Sequence, residues 1–408
     1  MGPCEGITAI ELGDFQTAPG AGAILGDFGT DVIKIEDPVR GDTFRGLYSW
    51  SEQQVQTKGR HIGFETSNRS KRGITLNLKH DKGREIFYKL IDKADIFYTN
   101  YRDKVLRQLG ADYETLSKRK PSLIYGVVNT FGSRGSWAER RGYDFLAQAR
   151  SGMMWTMGDR DSPEPTLVYG SFCDETAATV LAFGLVTALL ARERFAVGQK
   201  VECSMYGSMI HIQSAPINIT SLMGRSFARH SRTRVREPLT NYYKCADGKW
   251  ILLCEVRGDE YWPQLARALG LKKLENETKF AKAPNRRENY QELIQILDKA
   301  FAKKDLQEWL DIFHEQGLDE AGFSYSPIFT HGDVLNDPQA LDNDYIINFD
   351  HPTFKNIKIA GYPIRFSATP AKVKCASPEH GQNTEEVLTE LLGYSWEEMA
   401  KFRDEGVI

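Results

Sequence analysis

The stretch Ile7-Thr-Ala-Ile-Glu-Leu-Gly-Asp-Phe-Gln-Thr-Ala-Pro-Gly-Ala-Gly-Ala-Ile-Leu-Gly-Asp-Phe-Gly-Thr-Asp-Val-Ile-Lys-Ile-Glu36 reads as strand, helix, strand. Residues 7–12 and 32–36 are short apolar runs, and residues 20–28 carry small and apolar side chains at helical density. Two such runs joined by a helix make a βαβ unit, which builds a parallel sheet. The alternation continues with a strand at 73–78, a helix at 83–92, a strand at 94–100, a helix at 104–109 and a strand at 122–128. It predicts a doubly wound, Rossmann-like α/β domain whose ligands bind beyond the carboxyl ends of the strands. A dinucleotide site is not the reading favoured here. Gly20-Ala-Gly22 follows the first strand and Glu36 ends the second, but Leu25 stands where the third glycine belongs. Gly22 and Gly26 read instead as small residues that bring the helix close to the sheet. A phosphate loop of the form Gly-x-x-x-x-Gly-Lys-Ser/Thr is also absent.

Residues 1–205 form the large domain on this reading, and residues 206–240, polar and carrying Arg225, Arg229, Arg232, Arg234 and Arg236, read as a linker. A hairpin with its turn at Asp247-Gly248 follows at 239–254, then amphipathic helices at 260–269, 289–302 and 305–315. These define a small α+β domain over 241–325. Residues 326–408 hold loops, a short helix at 333–335, a Pro-rich strand region and helices at 384–392 and 395–403. Loops of that length predict a segment that packs back on the large domain.

With 408 residues, 41% hydrophobic and 26% charged, the chain is large enough for two domains. A formal charge of -3 leaves no nucleic-acid footprint and no polybasic membrane patch. No apolar stretch reads as long enough to span a bilayer, and residues 1–6 lack signal-peptide character, so a cytoplasmic location is expected. The six cysteines are scattered, without a Cys-x-x-Cys pair or histidines at zinc spacing, which predicts neither a metal site nor a disulfide framework.

In Ser171-Phe-Cys-Asp174-Glu-Thr-Ala-Ala a polar stretch gives way to a long apolar helix over 176–194. A carboxylate at that entrance faces the positive end of a helix dipole, which favours its ionised, nucleophilic form. Asp is also a preferred N-cap, and position alone favours the cap. Cys173 shares the entrance and is a rival nucleophile, ranked lower because no histidine lies near it in sequence.

Several blocks, in order and nearly end to end, resemble the class III CoA-transferases, which include formyl-CoA, carnitine and phenyllactate CoA-transferases. They are Phe15-Gln16-Thr-Ala-Pro19, Gly29-Thr-Asp-Val-Ile-Lys-Ile-Glu36, Gly41-Asp42-Thr-Phe-Arg45 and Lys71-Arg72-Gly-Ile-Thr-Leu76-Asn77-Leu78-Lys79. Further along come Ala94-Asp-Ile-Phe-Tyr-Thr-Asn100-Tyr101-Arg102, Gly142-Tyr143-Asp144, residues 188–200 and Gly381-Gln-Asn-Thr-Glu-Glu-Val-Leu388. The resemblance makes Asp174 the nucleophile. It attacks an acyl-CoA thioester to give a mixed anhydride, then carries CoA as an aspartyl thioester, and the acceptor acid enters by the mirror-image route. It places Gln16, Thr17 and Ala18 near the reacting carbonyl, with Gln16 otherwise a helix cap. It places Asp144 near the reacting centre and Leu76, Asn77, Leu78 and Lys79 along the adenine. Asn100, Tyr101, Arg102, Arg107 and Arg141 border the nucleotide and its phosphates, and Tyr143, also CoA-binding, pairs with Asp144 near the reacting centre. CoA thioesters are implied as substrates, with no permanently bound cofactor. An interlocked dimer, of identical or related chains, is implied as the assembly.

Two departures shape the substrate expectation. Asp37 stands where formyl-CoA transferase has an arginine after the second strand, and no glycine-rich loop lies between Arg225 and Asn241. Oxalate is therefore disfavoured as acceptor, and an aromatic or dicarboxylic acid is expected, with succinyl-CoA or a related acyl-CoA as donor. Two alternatives stand beside this reading. An α-methylacyl-CoA racemase-like enzyme shares the fold but uses a histidine where this chain has Tyr143, a poor proton acceptor at neutral pH. The other alternative is a CoA-binding subunit of a heteromeric transferase.

Overall fold

The opening βαβ unit forms as β1 (Thr8–Leu12), α1 (Thr17–Asp27) and β2 (Asp31–Glu36). The computed structural model describes residues 1–47, 49–50 and 53–408. Four further strands, β3 (Lys71–Thr75), β4 (Ile96–Thr99), β5 (Ile124–Asn129) and β6 (Gln199–Ser204), complete a six-stranded sheet. All neighbours pair in parallel, in the order β6-β5-β4-β1-β2-β3. This is the doubly wound order, and it reverses direction between β1 and β4.

Parallel sheets are stable when both faces are covered. On one face, α2 (Asp81–Lys93) presents Ile86, Phe87, Leu90 and Ile91 to the sheet. On the other, α1 packs with α4 (Phe172–Phe195), whose Ala177, Ala178, Leu181 and Leu185 are fully buried. The reading of Gly22 as a close-packing residue holds: a methyl group there would overlap the Tyr98 hydroxyl and the Glu11 carboxylate. The expectation that no apolar stretch reaches bilayer length needs correcting. By length and composition α4 is long and apolar enough to cross a membrane, and these properties here serve a helix half buried against the sheet.

The chain forms two compact units. One is Met1–Trp155, Leu167–Phe227 and Gln339–Ile408, and the other is Thr156–Thr166 and Ala228–Pro338. In the first unit, helices Thr384–Leu392 and Trp396–Asp404 insert Val387, Leu388, Met399 and Phe402 into the core beside Phe87 and Phe97. Gly73 and Asn383 exchange hydrogen bonds of 3.0 and 2.8 Å that tie this return to β3. The segment expected as a linker over 206–240 is instead helical at α5 (Met205–Ile212) and α6 (Ser214–Met223), both within the first unit. The second unit holds an antiparallel sheet of β7 (Thr240–Lys244), β8 (Trp250–Cys254) and β9 (Tyr325–Ile328). Its core joins Tyr243, Trp262, Phe301 and Phe313, drawn from that hairpin and from the helices expected beside it.

Candidate active site

A cleft of about 650 Å³ opens at the carboxyl ends of the parallel strands. Every strand delivers residues to it. Leu12, Asp14 and Phe15 come from the end of β1, Glu36 and Asp37 from β2, and Leu76 to Lys79 from β3. Asn100 to Arg102 come from β4, Asn129 and Thr130 from β5, and Met205 from β6. Asp174 joins them from the start of α4.

The chain enters α4 through Gly170 (φ +116°) and Ser171 (φ +57°), both in the left-handed region. Ser171 is the N-cap and makes no side-chain cap bond, so Asp174 is the third residue of the helix and not its cap. The capping acceptor comes from elsewhere. Asp144, the first residue of α3 (Asp144–Ser151), accepts the backbone N–H groups of Cys173 (2.6 Å) and Asp174 (3.1 Å) on one carboxylate oxygen. Its other oxygen accepts from Gln148 Nε2 at 2.5 Å, and Gln148 in turn bonds both backbone groups of Val168. The orphan amides of the helix start are thereby satisfied by a carboxylate thirty residues upstream.

Asp174 itself is 6% exposed. Its Oδ1 accepts a hydrogen bond from the hydroxyl of Thr17, at the first turn of α1, and its Oδ2 has no protein partner among the described residues. Burial is the largest influence on this carboxyl. The Thr17 hydroxyl opposes it, the charges of Asp144 and Glu175 add to it, and the pKa rises to about 7. The expectation that the helix end keeps Asp174 ionised is corrected here. The Asp144 carboxylate already occupies that end, and loss of solvent, with the charges of Asp144 and Glu175, holds the carboxyl above its ordinary range. Cys173 is fully buried, and burial together with Asp144 and Asp174 pushes its thiol far up, which removes it as a rival.

One consequence is measurable in the pH profile. Replacing Asp144 with Asn removes a like charge beside Asp174, so the acidic limb of kcat/KM is expected to move to lower pH. The move covers only part of the elevation, because burial is the larger cause. An unshifted or upward-moving limb contradicts this electrostatic account.

Of the residues expected at the site, Asp174, Thr17, Asp144, Leu76, Asn77, Leu78, Lys79, Asn100, Tyr101, Arg102, Arg141 and Tyr143 line the cleft. Three do not. Ala18 is fully buried inside α1 and faces the core. The Gln16 side chain neither caps α1 nor lines the cleft, and donates instead to Glu175. Arg107 projects away, with its guanidinium paired to Asp103 and Glu114. Asn100 lies at the cleft, but both ends of its amide are engaged. Its Oδ1 accepts from the Asp14 N–H (3.0 Å) and its Nδ2 donates to the Asp14 carbonyl (2.6 Å). Asp14, Phe15, Arg40, Gln108, Asn129, Thr130 and Arg140 were not anticipated. Asp14, Phe15 and Thr130 sit just past strand ends, so the rule that ligands lie there already pointed to them.

Comparison with known proteins places this geometry in a family context. The model of CoA-transferase family III matches residues 4–384. Cinnamoyl-CoA:phenyllactate CoA-transferase of Clostridium sporogenes is 31% identical, over 97% of this chain and 94% of its own. Succinyl-CoA–D-citramalate CoA-transferase of Chloroflexus aurantiacus is 30% identical, over 100% and 98%. Among solved structures, a CAIB/BAIF family protein from Brucella suis superposes with a TM-score of 0.84 at 28% identity, covering 96% of this chain and 99% of that one.

Proposed function

We propose, because the chain belongs to CoA-transferase family III, that Asp174 is the nucleophile through which this class III CoA-transferase passes CoA from an acyl-CoA donor to an organic acid. The observation that carries the reading is a buried carboxylate at a cleft, with Oδ1 held by Thr17 and Oδ2 without a protein partner among the described residues. The ionised Asp174 oxygen attacks the thioester carbonyl, the C–S bond breaks, and CoA leaves as thiolate with a mixed anhydride left behind. The thiolate then attacks the aspartyl carbonyl, the anhydride C–O bond breaks, and the donor acid departs. An acceptor carboxylate reverses the sequence: its oxygen displaces the thiolate from the aspartyl thioester to give a second anhydride, and the thiolate attacks the acceptor carbonyl, breaking the C–O bond to release the new acyl-CoA and the Asp174 carboxylate. No proton is consumed overall. Burial of Asp174 keeps water from the anhydride, at the cost of an elevated pKa.

Succinyl-CoA is the donor of this proposal, as it is in the names of relatives acting on D-citramalate, glutarate and mesaconate. The acceptor is a dicarboxylic or aromatic acid, the latter in line with the phenyllactate relative. The interlocked dimer and the cytoplasmic location belong to the same reading. To test it, the protein is incubated with succinyl-CoA or cinnamoyl-CoA and quenched with hydroxylamine. Mass spectrometry is expected to locate a hydroxamate on Asp174. Modification at Cys173, or exchange of the substrate α-proton for solvent deuterium without CoA transfer, overturns it.

A further inference from the structure

The turn Gly13 to Thr17 carries the hydroxyl that meets Asp174, and its conformation is not one the sequence adopts freely. Phe15 has φ +61°, a left-handed backbone that a non-glycine residue with a bulky side chain seldom occupies. Something must hold it there. From one side, Asp42 Oδ1 accepts the Phe15 N–H at 3.2 Å, a bond shared with Asp14 Oδ1 at 3.1 Å. From the other, the Asn100 amide closes on both backbone groups of Asp14. Asp42 is anchored in turn by the fully buried Lys34, whose Nζ lies 2.8 Å from Asp42 Oδ2, 3.0 Å from Glu11 Oε1 and 2.9 Å from the Gly13 carbonyl. The Phe15 ring meets Phe44 and Tyr143 edge-on, at 5.2 and 5.8 Å. Asp42 also caps a four-residue helix through the Phe44 N–H, a role that by itself explains only one of its contacts.

We infer that Asp42 and Asn100 are positioning residues that clasp the Asp14-Phe15 turn from opposite sides and so aim the Thr17 hydroxyl at Asp174. The inference rests on the reading of Asp174 as nucleophile. It gives Asn100 a mechanical task, through one hydrogen bond at each end of its amide, beside its place in the cleft wall. Neither residue touches the reacting atoms. Loss of either lets Phe15 relax to negative φ, which turns the start of α1 and takes the hydroxyl from the carboxylate. Binding of the CoA thioester, which is spread over the other strand ends, is left nearly intact.

The test uses the full-length protein and two readouts, steady-state kinetics and the single-turnover rate at which hydroxylamine-trapped Asp174 accumulates. Asp42→Ala and Asn100→Ala are each expected to lower kcat and the trapping rate about 10- to 100-fold with KM for acyl-CoA within about threefold, as for a group acting only on the reacting geometry. Asp42→Asn keeps an acceptor for the Phe15 N–H and is expected to recover most of the loss. In a Thr17→Val background, Asp42→Ala and Asn100→Ala are expected to cost little more, because the group they aim is already gone. Asn100→Ala leaves the buried Lys34 cluster intact and supplies the test if Asp42→Ala does not fold. A raised KM with unchanged kcat, or equal losses with and without the Thr17 hydroxyl, overturns the clasp. Failure of the Asp174 reading shows separately, as trapping at another residue in the unmodified protein.

Discussion

Asp174→Ala is expected to lower kcat for CoA transfer by about 10⁴-fold or more, the usual scale for removal of a covalent nucleophile. The surroundings give the substitution a clean interpretation. The carboxylate accepts one side-chain hydrogen bond, from Thr17, and the backbone N–H of the same residue remains capped by Asp144 after truncation. The cleft wall is built from six strand ends that do not depend on this side chain, so the Kd for the acyl-CoA is expected to stay within a few-fold. Stopped-flow release of CoA thiol, followed with a thiol reagent, separates the steps: the variant binds without a burst, whereas the wild type shows a burst of one equivalent at most per site. Residual turnover within tenfold of wild type excludes Asp174 as the nucleophile.

The second large effect falls on stability. Folding raises the Asp174 pKa from an ordinary 3.8 to about 7, chiefly by burial. The folded state therefore holds a proton that the unfolded chain releases between pH 4 and 7, and stability falls as pH rises through that window. Above it the ionised carboxylate weighs against the fold by on the order of 4 kcal/mol, since each tenfold change in proton affinity is worth about 1.4 kcal/mol. Asp174→Asn keeps the shape and an oxygen to accept the Thr17 hydroxyl but carries no charge. Its denaturation midpoint is expected to match wild type near pH 4 and to exceed it clearly at pH 8. A gap that is constant across this range sinks the proposed linkage. The same titration sets the chemistry, since activity needs the ionised form and should climb toward a plateau above pH 7.

Periodicity made the parallel sheet legible from its first thirty residues, because β1, β4 and β5 are short, mainly apolar stretches buried along nearly their whole length and β2 keeps its Val-Ile-x-Ile core. The edge strand β6 escaped: in Gln199-Lys-Val-Glu-Cys-Ser apolar and polar residues alternate, as suits a strand covered on one side only. Helices α5 and α6 escaped because their faces leave many apolar residues exposed, among them Ile212, Leu222 and Met223, so no amphipathic stripe marks them. At the site, the location of Asp174 was readable from the helix entrance in which it lies. Its protonation was not, because burial and the Asp144 charge come from elements far off in sequence. Nor was the task of Asn100, whose residue type suits a nucleotide contact equally well. Only the register that sets β4 beside β1 brings its amide against Asp14.

The tie between Gly73 and Asn383 spans 310 residues and encloses the whole of the second unit within the loop it closes. At about 5–20 residues per second, a ribosome needs roughly 15–60 s to deliver the second partner after the first. For that interval the face of β3 and α2 around Phe87 lacks Val387, Leu388, Met399 and Phe402, the side chains that cover it in the finished protein. Until then the nascent first unit exposes apolar surface that the finished protein buries, and its edge of the cleft is among the last parts of the enzyme to be completed.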